Sequence, residues 1–141
     1  FFVKRDASYT APTTLEHPVC VVEFDSNSTV WDNEGGGFHQ ESSEFVAPVS
    51  VVYSFNGRVK LSGVWEGELT YAELHAGSRY YSGSRKHADS MTDMVDVSAI
   101  VHLDTGEAVT LRVYVFPGHG TQISGSSENE ANTYFSGAQL F

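Results

Sequence analysis

Side-chain and amide oxygens crowd two short stretches of the sequence. Asp25, Asp32, Asn33 and Glu34 stand close together, and Glu128, Asn129 and Glu130 are consecutive. Oxygens at this density in loops are what Ca²⁺ takes as ligands. Asp25, Asp32, Glu34, Glu128 and Glu130 are therefore candidate calcium ligands, against the plainer reading of a solvated acidic surface. His17, His39, His75, His87, His102 and His119 lie on separate segments with no repeated ligand spacing, which argues against zinc. No H-E-x-x-H, G-x-S-x-G, P-loop or dinucleotide motif occurs, and nothing in the spacing selects two acids for glycoside hydrolysis. The chain reads as a binding module and not as an enzyme.

Binding chemistry has better candidates. An exposed aromatic ring can stack on a sugar face while neighbouring Asp, Asn, Arg and Glu groups bond its hydroxyls. Three clusters offer this: Trp31 with Asp32 and Asn33; Trp65 with Glu66; and Arg79, Tyr80 and Tyr81 with Arg85 and Lys86. Trp31 and Trp65 are the sharpest of these, although a Trp more often anchors a core than lines a sugar site. The Arg79 to Lys86 stretch is the only local basic patch. It reads either as a dock for an anionic polymer or as a mobile charged loop. Cys20 is the single cysteine and sits in the apolar run Val19-Cys20-Val21-Val22, so it forms no disulfide within the chain and reads as a small buried hydrophobe.

The 141 residues suffice for one domain with a real core. Eight Lys and Arg against 18 Asp and Glu give a net charge of -10, which repels phosphate backbones and anionic lipid. That excludes nucleic acid as the expected partner. No apolar run approaches the roughly 18 residues of a membrane span, and the N-terminal residues lack a signal-peptide core. The start without Met reads as the head of a longer chain.

These side chains must be carried by strands. Apolar residues alternate at period two, and no window holds a helical stripe, so the chain is expected to be all-β. Strands are expected at Phe1 to Lys4, Pro18 to Phe24, Phe45 to Leu61, Glu68 to Leu74, Met94 to Leu103 and Thr133 to Phe141, whose apolar end should dock. Asn56-Gly57 marks either a type I′ hairpin or, as preferred here, a bulge in one long strand. Val95 to Leu103 and Val109 to Val115 flank Asp104-Thr105-Gly106 and predict a hairpin, with Tyr114 and Phe116 on its outer face. Ser82 to Ser90 is expected to be a loop. About ten strands without crossover helices imply an antiparallel sandwich, a jelly roll or an immunoglobulin-like one.

At this point a family resemblance enters. Phe45-Val46-Ala47-Pro48-Val49 followed by Tyr53-Ser54-Phe55 resembles the Phe-x-Ala-Pro and Tyr-x-Phe signature of the globular head of complement C1q. Asn33 and Phe38 stand at that signature's Asn-to-aromatic spacing. Leu103 to Leu111 is similar to the family's strands around an acidic-Gly turn, and Tyr134 to Phe141 to its closing Phe-Ser-Gly-x-Leu-aromatic element. Val51, where the family usually has Gly, departs from the pattern, and so does Gly57, where a second aromatic is frequent.

The resemblance, to the C1q and tumour-necrosis-factor superfamily, implies a ten-stranded jelly roll assembled as a homotrimer, with chain ends at its base and ligand contacts on loops or flanks. Phe2 to Arg5, Val22 to Asp25 and Trp31-Asp32-Asn33 look most like versions at the tips of bacteriophage or bacterial fibres and spikes. For this chain that implies an extracellular or virion-surface recognition head for a cell-surface polysaccharide or protein receptor, with calcium as an optional cofactor. The alternatives are a purely structural trimerisation cap and a secreted C1q-like lectin.

Overall fold

The computed structural model describes residues 1–126 and 130–141, so the expected calcium ligand Glu128 lies outside the described residues. All regular structure among the described residues is strand. In chain order the strands are β1 (Phe2–Arg5), β2 (Tyr9–Thr10), β3 (Val19–Val21), β4 (Ser28–Trp31), β5 (Phe38–His39), β6 (Glu44–Val46), β7 (Val51–Ser62), β8 (Leu69–Ala76), β9 (Arg79–Ser82), β10 (Lys86–His87), β11 (Thr92–Leu103), β12 (Ala108–Tyr114), β13 (Gln122–Ile123) and β14 (Tyr134–Gln139). Among the described residues no helix is long and apolar enough to cross a membrane.

Two antiparallel sheets face each other. In the first, β7 is flanked on one edge by β11 and on the other by β14 and β13 in succession; β1 and β4 extend the sheet beyond β14, and β2 pairs with β13. In the second, β8 and β12 form the centre; β9 and β10 share the outer edge of β8, while β6 and β3 share that of β12. Alternation decides which side chains meet between the sheets. Tyr53, Phe55, Val59 and Leu61 of β7, Val95, Val97 and Val101 of β11, Leu74 of β8 and Val109, Leu111 and Val113 of β12 are buried in one core.

The expected hairpin between Val95–Leu103 and Val109–Val115 is corrected. β11 pairs along its whole length with β7, whereas β12 pairs with β8, β6 and β3 in the opposite sheet. Asp104-Thr105-Gly106 thus arches from one sheet to the other. Alternation was read correctly, because each strand turns one face to the core, but a face does not name its partner.

Asn56-Gly57 is neither a hairpin nor a bulge. The register from Thr92↔Ser62 to Leu103↔Val51 runs through it unbroken. Phe45 to Leu61 divides into β6 and β7, with Val49 exposed in the connection; the Tyr53 hydroxyl donates to the Val49 carbonyl at 2.8 Å and pins it. The expected loop Ser82 to Ser90 contains β10, whose Lys86 ammonium lies 2.6 Å from the buried Asp93 carboxylate. The apolar C-terminus is not docked on its own chain, since Phe141 is 81% exposed.

Aromatic residues of the C1q-like signature pack together at the end of the sandwich holding both chain ends. Phe1 stacks on Phe38 and Phe45, at 5.0 and 5.3 Å between ring centroids, and meets Phe135 edge-on. Asn33 supports this cluster. Its Nδ2 donates to the Phe38 carbonyl and its Oδ1 accepts from the Phe38 N–H, both at 3.0 Å.

Candidate functional site

The predicted site residues fall in different places, and the strand directions say where. β14 runs antiparallel to β7, with Gln139 opposite Tyr53, and β1 runs antiparallel to β14, with Phe2 opposite Ser136. Phe1 and Phe141 therefore lie at the end where β7 begins. Residues after Ser62 lie at the far end, roughly 35 Å from the start of β7 and about 23 Å from the level of Phe1, which Gly137 sets opposite Phe55.

Trp31 lies on strand β4 at the near end, not in a loop. It faces outward from the first sheet, opposite Phe2 in the register, with their rings 5.5 Å apart. Phe2 in turn stacks on Tyr134 at 5.3 Å, and the Lys4 ammonium lies 5.6 Å from the Trp31 ring. Asp32 is exposed beside it with a φ of 52°, and Asn33 is committed to Phe38.

The basic cluster is dispersed along β9 and the sheet edge. Arg79 pairs with Glu107 at 3.4 Å and donates to the His102 carbonyl. Tyr80 stacks on His75 at 4.4 Å, while Tyr81 turns toward the core. Arg85 covers the Tyr71 ring at 4.5 Å, and Lys86 is held by Asp93. These cations form no single basic patch.

Nor do the carboxylates assemble. Asp25 accepts a 2.7 Å bond from Arg5, a guanidinium only 3% exposed that also donates to the Ala7 and Glu23 carbonyls. Asp25 is thus the counter-ion of a buried cation, which the sequence reading missed because Arg5 carried no motif. Glu34 and Glu130 are exposed. Among the described residues no three His, Cys, Asp or Glu side chains group as a metal site.

Trp65 lies at the far end, where Arg85 and Lys86 also reach the edge of β8, and there it has unforeseen company. Its turn is tight. The Glu68 N–H donates to the Trp65 carbonyl at 3.1 Å, and Gly67 at the third position has a φ of 87°, as a type II turn requires. Reciprocal bonds between Gly67, Glu68 and Ala88 anchor the turn to the segment leading out of β10. Trp65 stacks on His119 from the loop after β12, 3.6 Å between centroids and 8° from parallel, and Phe116 stacks on His119 at 5.0 Å. Glu68 Oε1 holds His119 Nδ1. An open depression of ≈ 800 Å³, solvent at its mouth included, is lined by Trp65, Glu68, His87, Tyr114, Phe116 and His119. Phe116 was expected on the outer face of a hairpin, and His119 looked like a turn residue between two glycines. No local signal joined either to Trp65.

Two surfaces therefore stand out: the outward face of the first sheet and the aromatic cluster at the far end. On the first, Ile100 is 69% exposed in register with Ser54, which is itself opposite Ala138, and Leu140 bonds to Val52 in the next row. Apolar side chains thus recur across this face from β11 to β4, interspersed with polar ones such as the Arg58–Asp96 ion pair. Residues 1–140 match the C1q domain family.

The chain belongs to the C1q domain family. Solved structures agree on the fold. The globular domain of zebrafish complement 1qA protein is 17% identical with a TM-score of 0.66, and murine APRIL is 13% identical with a TM-score of 0.59; in each case 99% of this chain and 96% of the other is covered. The all-β C1q/TNF-like jelly roll expected from the sequence is the fold observed.

Proposed function

We propose that this C1q domain is a homotrimeric recognition module working outside the cell or on a virion surface. Three copies meet through the outward face of the first sheet, and a cell-surface polysaccharide or protein receptor is bound at the end remote from Phe1 and Phe141. The observation that carries this reading is the uncovered face itself. Phe2, Trp31, Tyr134, Ile100 and Leu140 share it with small residues and with the paired Arg58 and Asp96, and burying an Ile or Phe side chain contributes about 1.5–3 kcal/mol. Exposed large apolar side chains grouped on one sheet face mark an interaction site. A three-fold assembly is what the C1q resemblance implies, and it points the three far ends the same way.

Weak single sites then gain by avidity. The setting we infer is the tip of a phage or bacterial fibre or spike, on the resemblance of the opening segments. The test is binding of the fluorescent domain to a panel of bacterial cells, comparing the native protein with Ile100→Glu. Binding by the native protein, lost with the monomeric variant, supports the reading. Binding to no cell by an intact trimer would leave a structural cap in its place.

A further inference from the structure

Trp65 is 57% exposed although one face of its indole is spent on His119. A tryptophan needed only for packing would be covered. Here Trp65 lies 8° from parallel on His119 and Phe116 stacks on the same imidazole at 29°, so the outer face of Trp65 is left as a flat, open end. The row is rigid at its base. Glu68 fixes the imidazole through Nδ1, leaving Nε2 at the ring's other edge, and the type II turn fixes Trp65 relative to Glu68.

Charge narrows the occupant. Among the described residues no Lys or Arg lines the depression, while Glu66 and Glu68 do. The cations on the adjoining edge are already engaged, Arg85 over the Tyr71 ring and Lys86 on Asp93, so a sulfated, phosphorylated or uronic sugar would meet like charge without a free counter-ion. A quaternary ammonium is satisfied by ring faces that converge on it, and rings stacked on one another do not converge on a common point. What fits a single open aromatic face with carboxylate and imidazole edges beside it is an uncharged ring with apolar C–H groups on one side and hydroxyls at its rim.

We propose that Trp65 is the stacking platform of a neutral-glycan site, with the Glu66 carboxylate accepting hydrogen bonds from sugar hydroxyls and the His119 Nε2 edge forming another. It rests on the reading of the domain as a recognition head and names the ligand class of that head. The lining strands β8, β10 and β12 belong to the second sheet, so the site stays open when copies meet through the first.

The test screens the intact domain on an array of immobilised neutral and acidic oligosaccharides. Binding to neutral glycans is expected, weakened about tenfold or more by Trp65→Ala and partly retained by Trp65→Phe, with the light-scattering mass unchanged. In ¹⁵N-labelled native protein the array's best neutral oligosaccharide should shift the Trp65 indole resonance and leave that of Trp31 in place, a readout independent of how any variant folds. Binding confined to acidic glycans, displacement by choline, or an unshifted Trp65 resonance would each overturn the proposal. Any of these results with an intact, cell-binding trimer removes the platform and spares the recognition head; loss of the trimer itself removes the head.

Discussion

Leu111 of β12 lies over Gly57 of β7 so closely that a Cβ added at position 57 would stand 2.5 Å from its Cδ1 atom. Both residues are buried, one in each sheet. The glycine here serves no turn. It makes room for the leucine that keys the two sheets together. Gly57→Ala should cost about 1–3 kcal/mol by overpacking, and Leu111→Val in the same chain should recover part of it. A thermal double-mutant cycle reads the coupling; additive losses would show that the two side chains do not compete for one space.

Acid should weaken the fold through Asp93 and His75. Burial alone would raise the Asp93 carboxyl, but bonds from Lys86 and Thr70 outweigh it and hold the group below the ordinary carboxylate range. Its contribution is therefore fully present above about pH 4 and lost as pH falls through the depressed folded-state value. Burial, reinforced by the Arg112 charge, also lowers His75, so that group adds stability above about pH 6.5 and loses it on acidification. Chemical unfolding between pH 8 and pH 3 should show stability rising with pH over both ranges, and Asp93→Asn should flatten the lower one. A stability maximum near pH 4 would contradict this.

Asp25→Ala should cost roughly 1–3 kcal/mol, because it strips a buried guanidinium of its charged partner. Since Asp25 acts on Arg5, the loss should be the same in excess calcium and in chelator. Unfolding curves under the two conditions check this, and a loss seen only with calcium would restore Asp25 as a metal ligand.

Burial, with Glu23 adding to it, pushes the Cys20 thiol up to about 11. At pH 8 roughly one thiol in a thousand is then the reactive thiolate. A thiol reagent should leave native Cys20 unmodified for hours and label it at once in denaturant. Fast labelling of the native protein would place the thiol in solvent.

Much of the fold was legible because alternation reports which face a residue occupies. Val95 to Leu103 and Val109 to Val115 were assigned the correct inward faces, yet paired with each other instead of with β7 and β8. Pairing depends on where the chain goes after the turn, and Asp104-Thr105-Gly106 suits an arch between sheets as well as a hairpin within one. The two-residue strands β2, β5, β10 and β13 were invisible for a related reason: they are held by the edges of longer strands, and two residues carry no period. Of the candidate site, Trp65 was legible as an aromatic beside acidic and turn residues. His119, Phe116 and Glu68 were not, since only the juxtaposition of the β7–β8 and β12–β13 connections brings them together. Trp31 had the same local character as Trp65, and its strand turns it onto the other sheet's outer face.

Molecular mass by light scattering tests most directly whether the first sheet's face joins copies of this chain. Native protein should weigh three times the 15.4 kDa of one chain, and Ile100→Glu combined with Leu140→Glu should give a folded particle of one chain's mass. A native protein that weighs one chain at every concentration would contradict the trimer and, with it, the recognition head built upon it.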